Sequence, residues 1–191
     1  MTRIIAGFAG SQRLAVPASG TRPTSDRVRE AIFSALESRD LISGCAALDL
    51  YAGSGALGLE AASRGAAEVT LVEKNPAAAR VAKSNATTIL NAAAASKATK
   101  PRLTVVTQQV NAFLGSSVVQ FDVVFIDPPY DLSEIELAET LDRLTGHVTA
   151  GATIVIERTA RSPQPSLPPA FVLDRRKDYG ETTLWWLTTP E

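Results

Sequence analysis

Cysteine is nearly absent from this 191-residue chain. The one present, Cys45, excludes a disulfide framework and a cysteine-based zinc site. It stands in an apolar run and is expected to be buried and inert. Long hydrophobic runs are missing too, since nothing approaches the roughly 18 apolar residues that span a bilayer. The opening stretch, Met1 to Phe8, turns polar too soon for a signal peptide, so a cytoplasmic location is expected. Repeats at solenoid periods do not occur. Histidine appears once, as His147, in a polar turn where solvent exposure is expected. An excess of either charge is lacking as well. The chain has 19 Lys and Arg against 20 Asp and Glu, a net charge of −1. Taken alone, that balance argues against a nucleic-acid partner.

What is there is ordinary for one globular domain: 45% hydrophobic and 20% charged residues. The charge is unevenly spread. Residues 1–29 hold Arg3, Arg13, Arg22, Arg27 and Arg29 against Asp26 alone, or +4. The remainder holds 14 basic and 19 acidic groups, or −5. Arginine presents a planar fork that matches phosphate oxygens, so this segment reads either as a solvated face or as a basic arm whose Arg3, Arg13, Arg22 and Arg29 grip the phosphates of RNA. A second basic cluster is Arg175-Arg176-Lys177.

Periodicity predicts a doubly wound α/β sheet. Arg3–Phe8 and Gln12–Val16 read as a hairpin around Gly10-Ser11. Pro17–Pro23 is a connector, and Thr24, Ser25 or Asp26 can cap a helix with Val28, Ala31, Ile32, Ala35 and Leu36 on its apolar face. Arg27, Arg29 and Glu30 are expected largely outside that stripe. Strands are predicted at Cys45–Tyr51, Glu68–Glu73, Leu103–Thr107, Phe121–Ile126 and Ala152–Ile156. Helices are predicted at Leu57–Arg64, Ala77 to about Leu90, Val110–Leu114 and Ser133–Leu144. Ala92–Lys100 reads as a mobile low-complexity loop. Pro163–Pro169 reads as a linker, and Phe171–Arg176 with Thr182–Leu187 as an antiparallel pair. Trp185 and Trp186 point to opposite faces, one into the core and the other to edge packing or an RNA-stacking platform. The boundaries drawn are residues 1–20 for the hairpin extension and 21–191 for the sheet domain.

Two motifs carry chemistry. Leu48 to Gly58 joins a strand to a helix through Gly53-x-Gly55-x-x-Gly58. Glycines let a ligand approach the backbone, and the helix start offers N–H donors. Glu73, 20 residues beyond Gly53, can accept from two ribose hydroxyls. An adenosine-containing cofactor follows. Asp49 at the strand's end would repel a pyrophosphate and welcome a cationic amino-acid head such as that of S-adenosylmethionine, although the loop spacing alone leaves NAD open. Asp127-Pro128-Pro129-Tyr130 closes another strand, at the edge where open α/β sheets bind ligands. The prolines remove two N–H donors and leave the Asp127 carboxylate and Pro128 carbonyl as rigid acceptors. Such a pair suits the exocyclic amine of a base that stacks on Tyr130. On chemistry alone, guanine N2 and adenine N6 stay equally open.

These residues resemble the amino-group methyltransferases of the class I fold, and more closely the bacterial 16S rRNA (guanine(966)-N2)-methyltransferases. The resemblance rests on Arg3-Ile4-Ile5-Ala6-Gly7, Arg22 to Glu30, Leu48 to Ala61, Ser63-Arg64-Gly65-Ala66, Val72-Glu73-Lys74-Asn75 and Asp127 to Tyr130. Arg22-Pro23-Thr24-Ser25-Asp26-Arg27-Val28-Arg29-Glu30 is the most specific block. The resemblance implies a Rossmann-like seven-stranded, mostly parallel sheet with an antiparallel C-terminal strand and an N-terminal hairpin. It implies S-adenosylmethionine held by Asp49, Tyr51, Ala52, Gly53, Ser54, Gly55, Gly58, Glu73, Lys74 and Asn75. Thr24 to Val28, with Thr24 and Arg27 toward the cofactor, would form a lid. Asn111 stands where the family usually has an acidic adenine contact. The catalytic set would be Asp127, Pro128, Pro129 and Tyr130. The implied partner is 16S rRNA within a 30S subunit or assembly intermediate, met by a monomer. Methyl transfer to DNA or to adenine N6, and a non-catalytic RNA-binding factor, are the competing readings. A DNA enzyme of this kind normally carries a large target-recognition domain, for which 191 residues leave no room.

Overall fold

The computed structural model describes residues 2–17 and 25–190. Thr24 and Arg22 lie outside the described residues. A two-stranded antiparallel sheet opens the chain, β1 (Thr2–Arg3) pairing with β2 (Arg13–Leu14). A seven-stranded sheet follows: β3 (Ala46–Leu50), β4 (Glu68–Glu73), β5 (Arg102–Thr107), β6 (Phe121–Ile126), β7 (Val148–Thr159), β8 (Val172–Tyr179) and β9 (Thr182–Thr188). Its order is β5-β4-β3-β6-β7-β9-β8. The first five are parallel, and β9 runs antiparallel to both β7 and β8. The expected doubly wound sheet with an antiparallel end is what forms.

The strands are buried on both faces, which is why they read as apolar runs rather than as alternations. One layer holds α1 (Asp26–Glu37), α2 (Ala56–Ser63) and α3 (Pro76–Ser96), packed on Ala47, Val69, Leu71, Val123, Phe125 and Trp186. The other holds α4 (Val110–Ser116) and α5 (Glu134–Leu144), packed on Leu48, Leu50, Val124, Ile126, Ile154 and Trp185. From β3 the chain winds outward through β4 and β5, then returns to place β6 on β3's other side. The carboxyl ends of β3 and β6 therefore meet at a topological switch point, the usual ligand crevice of such sheets.

Several expectations are corrected. The hairpin ladder is shorter than Arg3–Phe8 and Gln12–Val16 because its backbone turns to other partners. Ile5 and Ala6 donate their N–H groups to the Glu60 carboxylate at 2.7 and 3.0 Å. Gly7, at φ +79°, lies so close to α2 that a Cβ would stand 1.9 Å from the Ser63 carbonyl oxygen. Ala92–Lys100 is no loop over most of its length. Its alanines continue α3 to Ser96, with Ala93 fully buried, until Lys97 ends the helix in a left-handed conformation. β7 extends well past Ala152–Ile156 in both directions, since β6 and β9 pair with it on either side.

Buried polar side chains account for the other corrections. His147 is buried, not exposed, with Nε2 2.7 Å from the Leu114 carbonyl and Nδ1 3.3 Å from that of Val119. Trp185 and Trp186 both enter the core, so neither is an RNA platform. The cluster Arg175-Arg176-Lys177 is largely a roof over them: the Arg175 guanidinium lies 4.3 Å from the Trp186 ring centre and that of Arg176 5.0 Å from Trp185. Cys45 is buried as expected, and burial pushes its thiol up to about 12.

Candidate active site at the carboxyl edge of the sheet

The segment leaving β3 carries three residues at positive φ: Tyr51 at 65°, Gly53 at 55° and Gly55 at 81°. Glycine meets that demand without strain at two of them. Gly55 opens α2, and no side chain caps that helix start. Glu73, at the end of β4, is turned into the loop: Oε2 accepts from Gly53 N at 2.9 Å and Oε1 from Asn75 N at 2.7 Å. Asn75 caps α3 by accepting from Ala77 N and Ala78 N. Lys74 beside it is exposed. Ala52 and Ser54 are buried in the loop.

Gly58 has a packing duty. A Cβ there would stand 2.3 Å from Leu71 Cδ2 and 2.9 Å from Val69 Cγ1, so glycine lets α2 lie on the sheet. Its N–H donates to Asp49 Oδ2 at 2.9 Å. Asp49 itself is only 1% exposed. Burial pushes its carboxyl up to about 8 against the pull of that N–H, and repulsion from Asp127 and Glu73 adds to the rise. Three carboxyl groups thus converge where β3, β4 and β6 end.

Asn111, in the first turn of α4, joins the loop through a relay. The Thr140 hydroxyl lies 3.0 Å from Asn111 Oδ1 and 3.3 Å from the Tyr51 hydroxyl. Burial raises the pKa of the Tyr51 phenol. Asp127 and Pro129 are half-buried, Pro128 is buried, and Tyr130 is 72% exposed at the lip. A cleft of about 670 Å³ opens beside Tyr130, lined among others by Ser25, Val28, Glu157, Tyr179 and Glu181. The start of α1, expected as a lid, therefore faces the same cleft as Tyr130.

The basic arm divides. Arg13 and Arg27 are exposed. Arg3 is exposed but shares Asp26, at 3.6 Å. Arg29 overturns its expectation, being fully buried and donating to the Arg3 carbonyl and to Asp26, both at 2.7 Å. It sits one position from Val28 and three from Ile32, inside the apolar stripe, and ties the hairpin to α1.

Three positioning residues escaped the sequence reading. Asn85 is buried in α3, exchanges two 2.9 Å hydrogen bonds with the Ala15 backbone and donates to the Ser54 carbonyl at 2.9 Å. Arg158 donates to the Leu132 carbonyl at 3.1 Å and to Glu134 at 2.5 Å, bracing the loop after Tyr130. Thr140 carries the relay above. No spacing marks them. Glu157 had a usable signal: it follows Ile156, the last residue of β7 paired with β6, as Asp127 follows Ile126.

Comparison with known proteins decides the family. The family model described as conserved hypothetical protein 95 matches residues 2–188. Ribosomal RNA small subunit methyltransferase D of Escherichia coli (strain K12) is 37% identical over 180 residues, covering 94% of this chain and 85% of the relative. The chain belongs to this methyltransferase family. The protein of the same name from Haemophilus influenzae is also 37% identical, over 84% of this chain and 80% of its own. Among solved structures, yhhF of Escherichia coli superposes with a TM-score of 0.82 at 32% identity, covering 100% of this chain and 98% of the other. The rRNA methyltransferase aviRa of Streptomyces viridochromogenes shares the fold, with a TM-score of 0.69 at 19% identity over 90% of this chain and 87% of its own.

Proposed function

We propose that the chain transfers a methyl group from S-adenosylmethionine to the exocyclic N2 amine of a guanine in 16S rRNA, expected to be guanine 966, within a small-subunit particle. The observation that carries this reading is the juxtaposition of two strand ends: the glycine loop after β3 and Asp127-Pro128-Pro129-Tyr130 after the adjacent, parallel β6. The relatives named for methylation of small-subunit ribosomal RNA support the substrate class.

The residues present fit the cofactor. Burial and the neighbouring Asp127 and Glu73 hold the Asp49 carboxyl up to about 8, so a cation among the three would relieve their repulsion and a pyrophosphate would add to it, while half-buried Glu73 can accept from hydroxyl donors. Asp49 to Gly55, with Gly58 beneath, would hold its methionine part; Glu73, with Lys74 and Asn75 beside it, the ribose; Asn111 the adenine edge. When bound, S-adenosylmethionine supplies a methyl carbon made electrophilic by its sulfonium. The chain's own share is alignment. Asp127 and the Pro128 carbonyl accept hydrogen bonds from the target amine, drawing its lone pair out of conjugation with the ring. Tyr130 stacks on the extruded base. With the amine so held, proximity and orientation supply much of the rate.

Incubation with labelled S-adenosylmethionine and naked 16S RNA, 30S particles or DNA, followed by mapping of the methylated base, tests the proposal. Label on a guanine N2 of 16S RNA in the particle is expected. Label on adenine N6, on DNA or on nothing overturns it.

A further inference from the structure

Two acceptors hold the amine of guanine and that of adenine alike, because both amines donate two hydrogens. The neighbouring ring atom differs. Guanine carries a donor, N1–H, beside its 2-amino group, whereas adenine carries a bare acceptor, N1, beside its 6-amino group. A site that selects guanine needs one further acceptor next to the pair that grips the amine.

Such an acceptor stands on the adjacent strand. β6 and β7 are parallel, with Ile126 opposite Ile156, so Asp127 and Glu157 follow side by side. Neighbouring strands lie about 4.8 Å apart, close to the span of one base edge. Glu157 is half-buried and on the same face as Val155, which packs in the layer of α1. It lines the small recess formed with Asp127, Pro128 and Tyr130, and also the larger cleft where Ser25 and Val28 face Tyr130. Among the described residues it is the one carboxylate bordering both spaces. Arg158, next along β7, also borders the small recess but donates to the Leu132 carbonyl and to Glu134, and Arg161 borders the larger cleft.

We infer that Glu157 selects the base: its carboxylate accepts the N1–H of guanine while Asp127 and the Pro128 carbonyl hold the 2-amino group. This rests on the methyltransferase reading and adds the group that tells guanine from adenine. An adenine in the same place would set the lone pair of N1 against the carboxylate and leave it without a donor.

The test uses 30S particles whose 16S RNA carries guanine, 2-aminopurine or adenine at the mapped position. 2-Aminopurine keeps the 2-amino nucleophile but has a bare N1. The unaltered chain is expected to prefer guanine over 2-aminopurine by about 5- to 150-fold in kcat/KM, the discrimination one good base contact supplies. In Glu157→Gln the amide can donate to a bare N1, so the preference narrows toward unity or inverts. Its thermal midpoint and S-adenosylmethionine Kd should stay unchanged. Guanine methylation with the same preference in both proteins overturns the assignment of Glu157 alone. A matching loss of cofactor affinity moves Glu157 to the cofactor side and also overturns it. No guanine methylation by the unaltered chain overturns the methyltransferase reading, and the assignment with it.

Discussion

The two halves of the sheet's carboxyl edge are built on different plans. On the β3–β4 side, polar groups are fixed in place by partners within the protein: Asp49 by Gly58, Glu73 by Gly53 and Asn75, Tyr51 by Thr140. Glycines there bring helix and sheet into contact. On the β6–β7 side the chain leaves a cleft of about 670 Å³ and an aromatic ring 72% in solvent. A small diffusible ligand rewards a pocket shaped in advance, since preorganisation lowers the cost of binding. A base pulled out of a folded RNA needs an open approach and a surface to stack on.

That contrast can be broken by exchange of single residues. The largest effect is expected from Asp127→Ala, a loss of about 10³-fold in methyl transfer, with the S-adenosylmethionine Kd from calorimetry unchanged. An equal loss of cofactor affinity would erase the division between the halves. Tyr130→Ala should cost about 5- to 150-fold in kcat/KM for the RNA particle, the range of one stacked base. Normal rates in that variant would make the exposed ring an incidental lip.

On the cofactor side, pH is the sharper probe. Folding raises the Asp49 carboxyl from 3.8 to about 8. Between those values the folded chain keeps a proton that the unfolded chain has released. Stability from this group is therefore fully present at the acid end, falls as pH rises through that window, and levels above it. Asp49→Asn keeps an acceptor for the Gly58 N–H and removes the titration. Thermal midpoints of the cofactor-free proteins from pH 5 to pH 9 should decline less steeply in the variant, and parallel curves would place the titration elsewhere. The smallest effect belongs to Arg13→Ala: a several-fold weaker hold on the RNA particle, with the salt dependence shallower by about one unit of slope. An unchanged slope in a filter-binding salt series would remove Arg13 from the phosphate-facing surface.

What the sequence disclosed divides along a related line. The strands Glu68–Glu73 and Phe121–Ile126 were legible to the residue because both their faces are apolar and their ends are marked by Glu, Asp or Pro. The glycine loop and Asp127-Pro128-Pro129-Tyr130 were legible because backbone geometry demanded those residue types. Arg29, His147 and Asn85 were not, because a polar side chain is buried by partners far along the chain. Arg29 needs the Arg3 carbonyl and Asn85 needs Ala15 and Ser54. The charge sum of residues 1–29 overstated the arm for the same reason, since Arg29 is consumed in holding it down. Helix α3 outran its predicted end because a run of alanines reads as low complexity yet is the best helix former there is.

The hairpin's anchors carry a consequence for engineering. Glu60 satisfies Ile5 and Ala6, Ser63 accepts from Ala9 N and donates to the Ala6 carbonyl, and Asn85 clasps Ala15. Cutting the chain after residue 17 would take from three buried polar side chains the partners that the hairpin supplies, rather than shed a loose tail. An arm transplanted from a relative, to redirect the enzyme to another RNA, would have to travel with its own counterparts of those three residues. For design, the segment and its sockets form one transferable unit, split across 70 positions of sequence from Ala15 to Asn85.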